Sequence, residues 1–190
     1  MVIPDNLKGY LSSEEVQVER RKGKGVYLGR RFTIDNSEHL YNSGGPGYVL
    51  DSIALSLLVQ GLNGEADMCK THVETSVEDL YTANCLRNTA EIYPLETRDH
   101  TGRERFHHFT PAMLNTYTMK RDEYNRSADW WVVHSLDFRT GPDCCSCKSV
   151  SFHMLQPLYM RAVYSYLYSC RSETPHVIVG DGRDGGDRRV

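Results

Sequence analysis

Apolar positions recur along this chain in short runs, and each run predicts one small element. From Ser52 to Leu62 the apolar residues Leu55, Leu58, Val59 and Leu62 fall at three- and four-residue steps, which predicts a helix packed on that face. Asp51 stands where an N-cap belongs. A second helix is expected to open at Thr75-Ser76-Val77-Glu78-Asp79 and run to about Ala90, with Leu80 and Leu86 inward. Val2 and Ile3 read as the end of a strand, after which Pro4 suits the first turn of a short helix through Leu11. Pro157 likewise starts a last helix, through Cys170. Val26 to Thr33 and Lys148 to Met154 read as strands, Glu91 to Thr97 is a further strand candidate, and Asp129 to Phe138 is aromatic and β-branched. Between these, Ser12 to Lys24 and Asn63 to Glu74 are polar loops, and Arg98 to Pro111 is an irregular segment rich in charge and histidine. From Ser172 onward Gly, Asp and Arg dominate, so residues 172–190 are expected to be a disordered tail on a domain of residues 1–171. There is no internal repeat.

Composition narrows the picture by exclusion. The 22 basic and 25 acidic residues nearly cancel, so charge points neither to nucleic acid nor to an anionic membrane surface. No run approaches the ~20 apolar residues of a spanning helix. Met1 to Asp5 lacks the basic leader and apolar stretch of a signal peptide, and the expectation at face value is a soluble chain. The six cysteines are an even count, compatible with disulfides without establishing them. Asn125-Arg126-Ser127 is a glycosylation sequon and a weak pointer to a secretory compartment.

The stretch with the most chemical content is Tyr41-Asn42-Ser43-Gly44-Gly45-Pro46-Gly47-Tyr48. It offers a nearly bare main chain between two amphipathic rings, a surface suited to a sugar; a tight strand-to-helix turn accounts for the same residues. Glu78-Asp79 is the sharpest catalytic candidate. Thr75 and Glu78 match a capping box, which leaves Asp79 over as a carboxylate at a helix start, where the helix dipole favours its ionised, proton-accepting form. Cys69 and Cys85 flank this helix start, and either a bridge or two buried thiols fits them. A bridge would contribute on the order of 3 kcal/mol. Cys144-Cys145-Ser146-Cys147 with His153 has poor spacing for zinc, because adjacent cysteines rarely both reach one tetrahedral ion; disulfide pairing with undetermined partners suits it better. A lone histidine at a strand end, such as His153, is most often a satisfied core or edge residue. Of Trp130 and Trp131, one is expected in the core, leaving the other as a stacking surface. Arg103-Glu104-Arg105 reads as a surface ion-pair network.

In order and spacing these segments resemble the glycosyltransferase family that contains fringe and the core 1 β1,3-galactosyltransferases. The likeness runs through Tyr27-Leu28-Gly29-Arg30-Arg31-Phe32, the glycine stretch from Tyr41 to Leu50, Glu78-Asp79-Leu80 and Arg98-Asp99. It continues in Gly102-Arg103-Glu104-Arg105-Phe106, Gly141-Pro142-Asp143-Cys144-Cys145 and Val150-Ser151-Phe152-His153. The last two segments bring it nearest to the core 1 enzymes.

That resemblance implies an α/β chain, part of a GT-A (Rossmann-like) fold without its N-terminal nucleotide-binding half. It implies an inverting transfer of galactose from UDP-galactose to O-linked GalNAc in a β1,3 linkage. Asp79 would be the base with Glu78 beside it, and His153 a ligand of manganese (Mn2+). Tyr41, Ser43, Gly44, Gly45, Tyr48, Trp130 and Trp131 would line the substrates, and Cys69 and Cys85 would form a disulfide. The partners implied are a UDP-sugar donor, a glycoprotein acceptor and a second copy in a homodimer. The location implied is the Golgi membrane for the full-length protein. The Asp-rich motif of the family belongs immediately before Val2, and no Asp-x-Asp triplet precedes the glycine stretch, so the chain alone is expected to be inactive. The other readings are a non-catalytic binding or chaperone-like member of the family and an unrelated disulfide-rich interaction domain.

Overall fold

The protein is described by a computed structural model covering residues 1–34, 39–64, 68–74, 76–126 and 129–169. The chain falls into two units, Met1–Leu155 and Gln156–Val190. The first is mixed α/β. In order it holds α1 (Pro4–Leu11), α2 (Glu14–Arg21), β1 (Tyr27–Gly29), β2 (Arg31–Thr33), β3 (Leu40–Asn42) and β4 (Tyr48–Leu50). Then come α3 (Ser52–Leu62), α4 (Glu78–Ala90), β5 (Phe106–His107), α5 (Pro111–Asn115), α6 (Trp130–His134), a 3-10 turn (Gly141–Asp143) and β6 (Ser151–Phe152).

The stretch from Val26 to Thr33 is two strands because its halves find different partners. β1 runs antiparallel to β4, with Tyr27 opposite Leu50. β2 runs antiparallel to β3, with Phe32 opposite Tyr41. Arg30 sits at the break, and its carbonyl accepts the Ser43 N–H at 2.9 Å. β5 pairs in parallel with β6, and Val2 bridges Ser151 from the other side. The chain start is held there: the Ile3 N–H donates to the Val150 carbonyl at 2.8 Å and the Phe152 N–H to the Met1 carbonyl at 2.9 Å.

Alternation along β1 divides the core. Tyr27 joins Phe32, Ala54, Ala83 and Leu86, under α3 and α4. Val26 and Leu28 face the other way, into Tyr10, Val16, Phe106 and Val150, under α1 and α2. A third cluster gathers Phe109, Leu114 and Cys144, with Trp131 touching both it and the first.

Several sequence expectations change. Ser12 to Lys24 is largely a helix: α2 carries Glu14 and Glu15 in its first turn and Arg20 and Arg21 in its last, complementing the helix dipole. Its one buried residue, Val16, is too little to leave a periodic signal. The cap on α3 is as expected, since Asp51 Oδ1 accepts the Ala54 N–H at 2.9 Å. The packed face is not, for Ala54, Leu57 and Leu58 pack inward while Leu55, Val59 and Leu62 are exposed. This helix is apolar nearly all round, so periodicity alone does not select its buried side. Glu91 to Thr97 forms no strand; Leu95 touches β1 through one bond to the Tyr27 carbonyl at 2.9 Å. Within Asp129 to Phe138, residues Trp130–His134 are helical.

Arg103-Glu104-Arg105 is not a surface network. Glu104 and Arg105 are buried, and Glu104 pairs with buried Arg30 at 2.6 Å. The Arg105 guanidinium lies 4.3 Å from the centre of the Tyr10 ring.

Cys69 and Cys85 are joined, their Cα atoms 4.4 Å apart, which ties the loop before α4 to the helix itself. Cys144 and Cys145 form a disulfide with each other, which removes two of the zinc ligands considered above. Cys147 is a free, exposed thiol. Thr75 of the capping-box reading, Ser127 of the sequon, Cys170 and the tail from Ser172 lie outside the described residues.

In the second unit, α7 (Pro157–Tyr164) opens at Pro157 as expected and continues as a π-helical turn, Ser165–Ser169. Among the described residues, no helix is long and apolar enough to cross a membrane.

Candidate functional site

Ser43 to Gly47 connects β3 to β4 as a tight turn, closed by the Gly47 N–H donating to the Gly44 carbonyl at 2.9 Å. Gly47 adopts φ +80°, which suits glycine. At Gly44 and Gly45 the requirement is space. A Cβ on Gly44 would lie 2.7 Å from Glu78 Oε1, and one on Gly45 would lie 2.6 Å from His153 Nδ1 and 3.2 Å from His108 Cε1. The turn is therefore a bare shelf with carboxylates at one end and imidazoles at the other.

The carboxylates arrive on the first turn of α4, where Glu78 and Asp79 are the first two residues and Val77 is the N-cap. A capping box would need Glu78 at the third helical position, so that register does not apply. Asp79 Oδ2 accepts the Gly44 N–H at 2.8 Å, and Oδ1 accepts the Leu80 N–H at the same distance. Asp79 is half-buried and Glu78 is exposed. An ionised carboxylate offers about four lone-pair positions, so two bonds to amides leave room for a hydroxyl.

The imidazoles arrive from β5 and β6. His153 follows β6, its N–H bonded to the His107 carbonyl at 2.8 Å. Its ring Nδ1 is buried without a hydrogen-bond partner. Burial lowers its pKa, and the Met1 ammonium, which donates to the Phe152 carbonyl at 2.7 Å, adds to the effect. His108 is 5% exposed, and neither of its ring nitrogens has a partner. Its ring is wedged among Phe32 (4.7 Å), Trp131 (4.4 Å) and His153 (6.0 Å between centres). Burial pushes its pKa down to about 3, with the Arg30 charge adding. His107 is stacked on Phe152 and bonded through Nε2 to Ser149 Oγ at 2.9 Å, and burial lowers it to about 4.

These depressed values fix a pH dependence. In the unfolded chain both rings take a proton near pH 6.5, while in the folded protein they stay neutral, so the unfolded state binds more protons between about pH 6.5 and 4. Stability is full above that window and is lost as pH falls through it. At pH 5 each histidine is expected to cost on the order of 2 kcal/mol relative to pH 7.5. Urea unfolding at the two pH values measures this, and equal midpoints would contradict it.

The remaining candidates are distributed around this shelf. Tyr41 is buried edge-on against Phe32 at 5.9 Å, so it backs the shelf and does not offer an open stacking face. Burial, with the Asp79 charge, pushes its phenol up to about 12. Ser43 is buried, and Tyr48 meets Tyr27 edge-on. Trp131 is half-buried between two core clusters, whereas Trp130 is 49% exposed and 5.4 Å from Phe32. A pocket of about 200 Å³ opens beside Glu78, floored by Leu58, Leu62 and Tyr81 and edged by Lys70 and the Cys69 bridge.

Among the described residues, no group of three or more His, Cys, Asp or Glu side chains can hold a metal ion. A buried, partnerless nitrogen against a glycine does fit one position in the coordination sphere of a cation, and His153 supplies it. His108 is the residue that sequence reasoning missed. Its signal was the His107-His108 doublet inside a segment read as irregular.

No family model matches the chain. It is 34% identical over 171 residues to the glycoprotein-N-acetylgalactosamine 3-beta-galactosyltransferase 1 of Xenopus laevis. The match takes in 90% of this chain and 43% of that protein, so the chain spans less than half the length of this curated relative. Over the part of that enzyme's length that it spans, the chain is similar to a core 1 β1,3-galactosyltransferase, a glycosyltransferase.

Proposed function

We propose that the chain carries the acceptor-side half of an inverting GT-A glycosyltransferase, which moves galactose from UDP-galactose to the 3-hydroxyl of O-linked GalNAc on a glycoprotein. One observation supports this most: a single side-chain-free turn is met by Asp79 at Gly44 and by His153 at Gly45. Asp79 takes the proton of the acceptor hydroxyl as that oxygen bonds to the anomeric carbon and the bond to UDP breaks on the opposite face. Glu78, exposed beside it, is placed to hold a neighbouring sugar hydroxyl. Trp130 presents an open ring for the acceptor. His153 gives one nitrogen to a divalent cation, manganese in this reading. When bound, such an ion offsets the charge growing on the departing diphosphate.

The other ligands of that ion would come from the diphosphate and from carboxylates outside the described residues. The Met1 backbone is paired with Phe152, next to His153, so an acidic segment joined ahead of Met1 would reach the same end of the shelf. Residence in the Golgi membrane belongs to the full-length protein in this reading. The 190-residue chain alone is expected to give no measurable transfer, since no Asp-x-Asp triplet precedes its glycine stretch.

A chimera tests this reading, with the chain replacing the matching part of the Xenopus enzyme. Transfer from UDP-galactose to a GalNAc-bearing peptide is expected. A folded chimera that binds UDP and transfers nothing would overturn the reading and leave the non-catalytic one.

A further inference from the structure

The loop ahead of α6 carries a motif that the transfer reaction does not use. Asn125-Arg126-Ser127 is the one Asn-x-Ser/Thr triplet in the 190 residues, and its middle position is not proline. Asn125 lies in a turn on the surface. Its N–H donates to the Asp122 carbonyl at 3.0 Å, and the Asp122 N–H donates to the Arg126 carbonyl at 2.9 Å. The Asp122 carboxylate accepts the N–H groups of Tyr124 and Arg126 and the Arg126 guanidinium, each at 2.9 Å. Arg121 Nη1 donates to the Asn125 carbonyl at 2.7 Å. The turn is thus held by its main chain, by Asp122 and by two arginines. Among the described residues, no bond to the Asn125 side chain helps to hold it. Asn125 itself is exposed and stands at φ +61°, in the left-handed region where asparagine is enriched.

We propose that Asn125 is a modification site, bearing an N-linked oligosaccharide on its amide nitrogen. The inference goes beyond the transfer reaction and rests only on the secretory location that belongs to that reading. The co-reactant is a lipid-linked oligosaccharide pyrophosphate. Nδ2 of Asn125 bonds to the anomeric carbon of the first sugar and gives up one proton. The bond from that carbon to the pyrophosphate oxygen breaks, and the lipid pyrophosphate leaves with the electron pair. Two features make the folded turn a fitting carrier. Exchanging one amide hydrogen for a sugar removes no contact, because the side chain is exposed and outside the bonding that closes the turn. Tyr124, immediately before it, is 69% exposed, and the Arg126 guanidinium lies over its ring at 5.0 Å from the centre. A ring has two faces, so one is left open for the apolar side of the first sugar.

The test is translation of the whole 190-residue chain behind a cleavable secretion leader, with microsomes present, for the parent, Asn125→Gln, Ser127→Ala and Ser127→Thr. Removal of the leader reports that a chain has reached the lumen. The leader-free parent is expected to run as a slower gel band, returned by endoglycosidase H to the position of the unmodified chain. Asn125→Gln and Ser127→Ala are expected to give only the faster band, and Ser127→Thr, which keeps the hydroxyl, the slower one. The readout is mass, so a variant that folds poorly still answers. A leader-free parent that stays in the faster band overturns the site and leaves the transfer reading standing. A slower band that persists in Asn125→Gln overturns it as well. A parent that carries the glycan keeps the site even if the chimera transfers nothing, which would overturn the transfer reading alone.

Discussion

Asp79→Asn, introduced into the chimera described above, is expected to lower galactosyl transfer by about 10²- to 10⁴-fold, the usual worth of a positioned general base. The substitution keeps the shape of the side chain and one acceptor oxygen for the Gly44 N–H. It places an amide NH2 where the other carboxylate oxygen now accepts from Leu80. That mismatch costs about 1–3 kcal/mol of stability, so the fold must be checked beside the rate. Folding loss and chemical loss separate in the kinetics. A merely structural bracket between shelf and helix would lower the amount of active protein and leave the turnover of the folded fraction unchanged. A base would leave UDP binding in place and remove turnover. Retention of transfer within about twofold of the parent would remove Asp79 from the mechanism.

Glu104→Ala is expected to destabilise the fold by about 3–5 kcal/mol, since it leaves the buried Arg30 charge without its partner. The carboxylate does more than pair with Arg30 at 2.6 Å. Its other oxygen accepts from Thr97 Oγ1 at 2.9 Å and from the Arg105 and Phe106 N–H groups at 2.8 and 3.1 Å. Those amides lead directly into β5, the strand that delivers His107, next to His108. Small domains are stable by only about 5–15 kcal/mol, so the loss is a large fraction of the total. Urea unfolding at neutral pH measures it, and a change below about 1 kcal/mol would show that water reaches Arg30. Adding Arg30→Met to the Glu104→Ala variant is expected to recover much of the loss, because no buried charge then remains unpaired.

The parts of the structure legible in the sequence are those fixed by local chemistry. Asp51 announces the start of α3 because an N-cap works through its own neighbours, and Pro4 and Pro157 mark helix starts by the same logic. The shelf was visible because few backbones need Gly-Gly-Pro-Gly. What could not be read depends on distant partners. Arg30 breaks a run of strand formers only because β4 and β3 claim its two halves. Glu104 looked like a surface charge until Arg30 was found beside it. The buried side of α3 is chosen by β1 and α4 and not by its own pattern.

The candidate site divides in the same way. Glu78, Asp79, Gly44, Gly45 and His153 were singled out from sequence, and the structure gathers them around one turn. His108 was not, because its significance comes from standing opposite Gly45 across the fold.

The central claim is that acceptor and donor meet on the glycine shelf, the acceptor hydroxyl at Asp79 and the cation of the donor diphosphate at His153. Paramagnetic broadening tests it most directly: amide spectra of the 15N-labelled chimera, which restores the nucleotide-binding half, recorded with UDP before and after substoichiometric Mn2+. The account predicts selective broadening of the Gly44, Gly45, Asp79 and His153 amide signals, with those of Val16 and Tyr10, in the core cluster under α1 and α2, unaffected. Broadening centred elsewhere, or none at concentrations where UDP is bound, would contradict it.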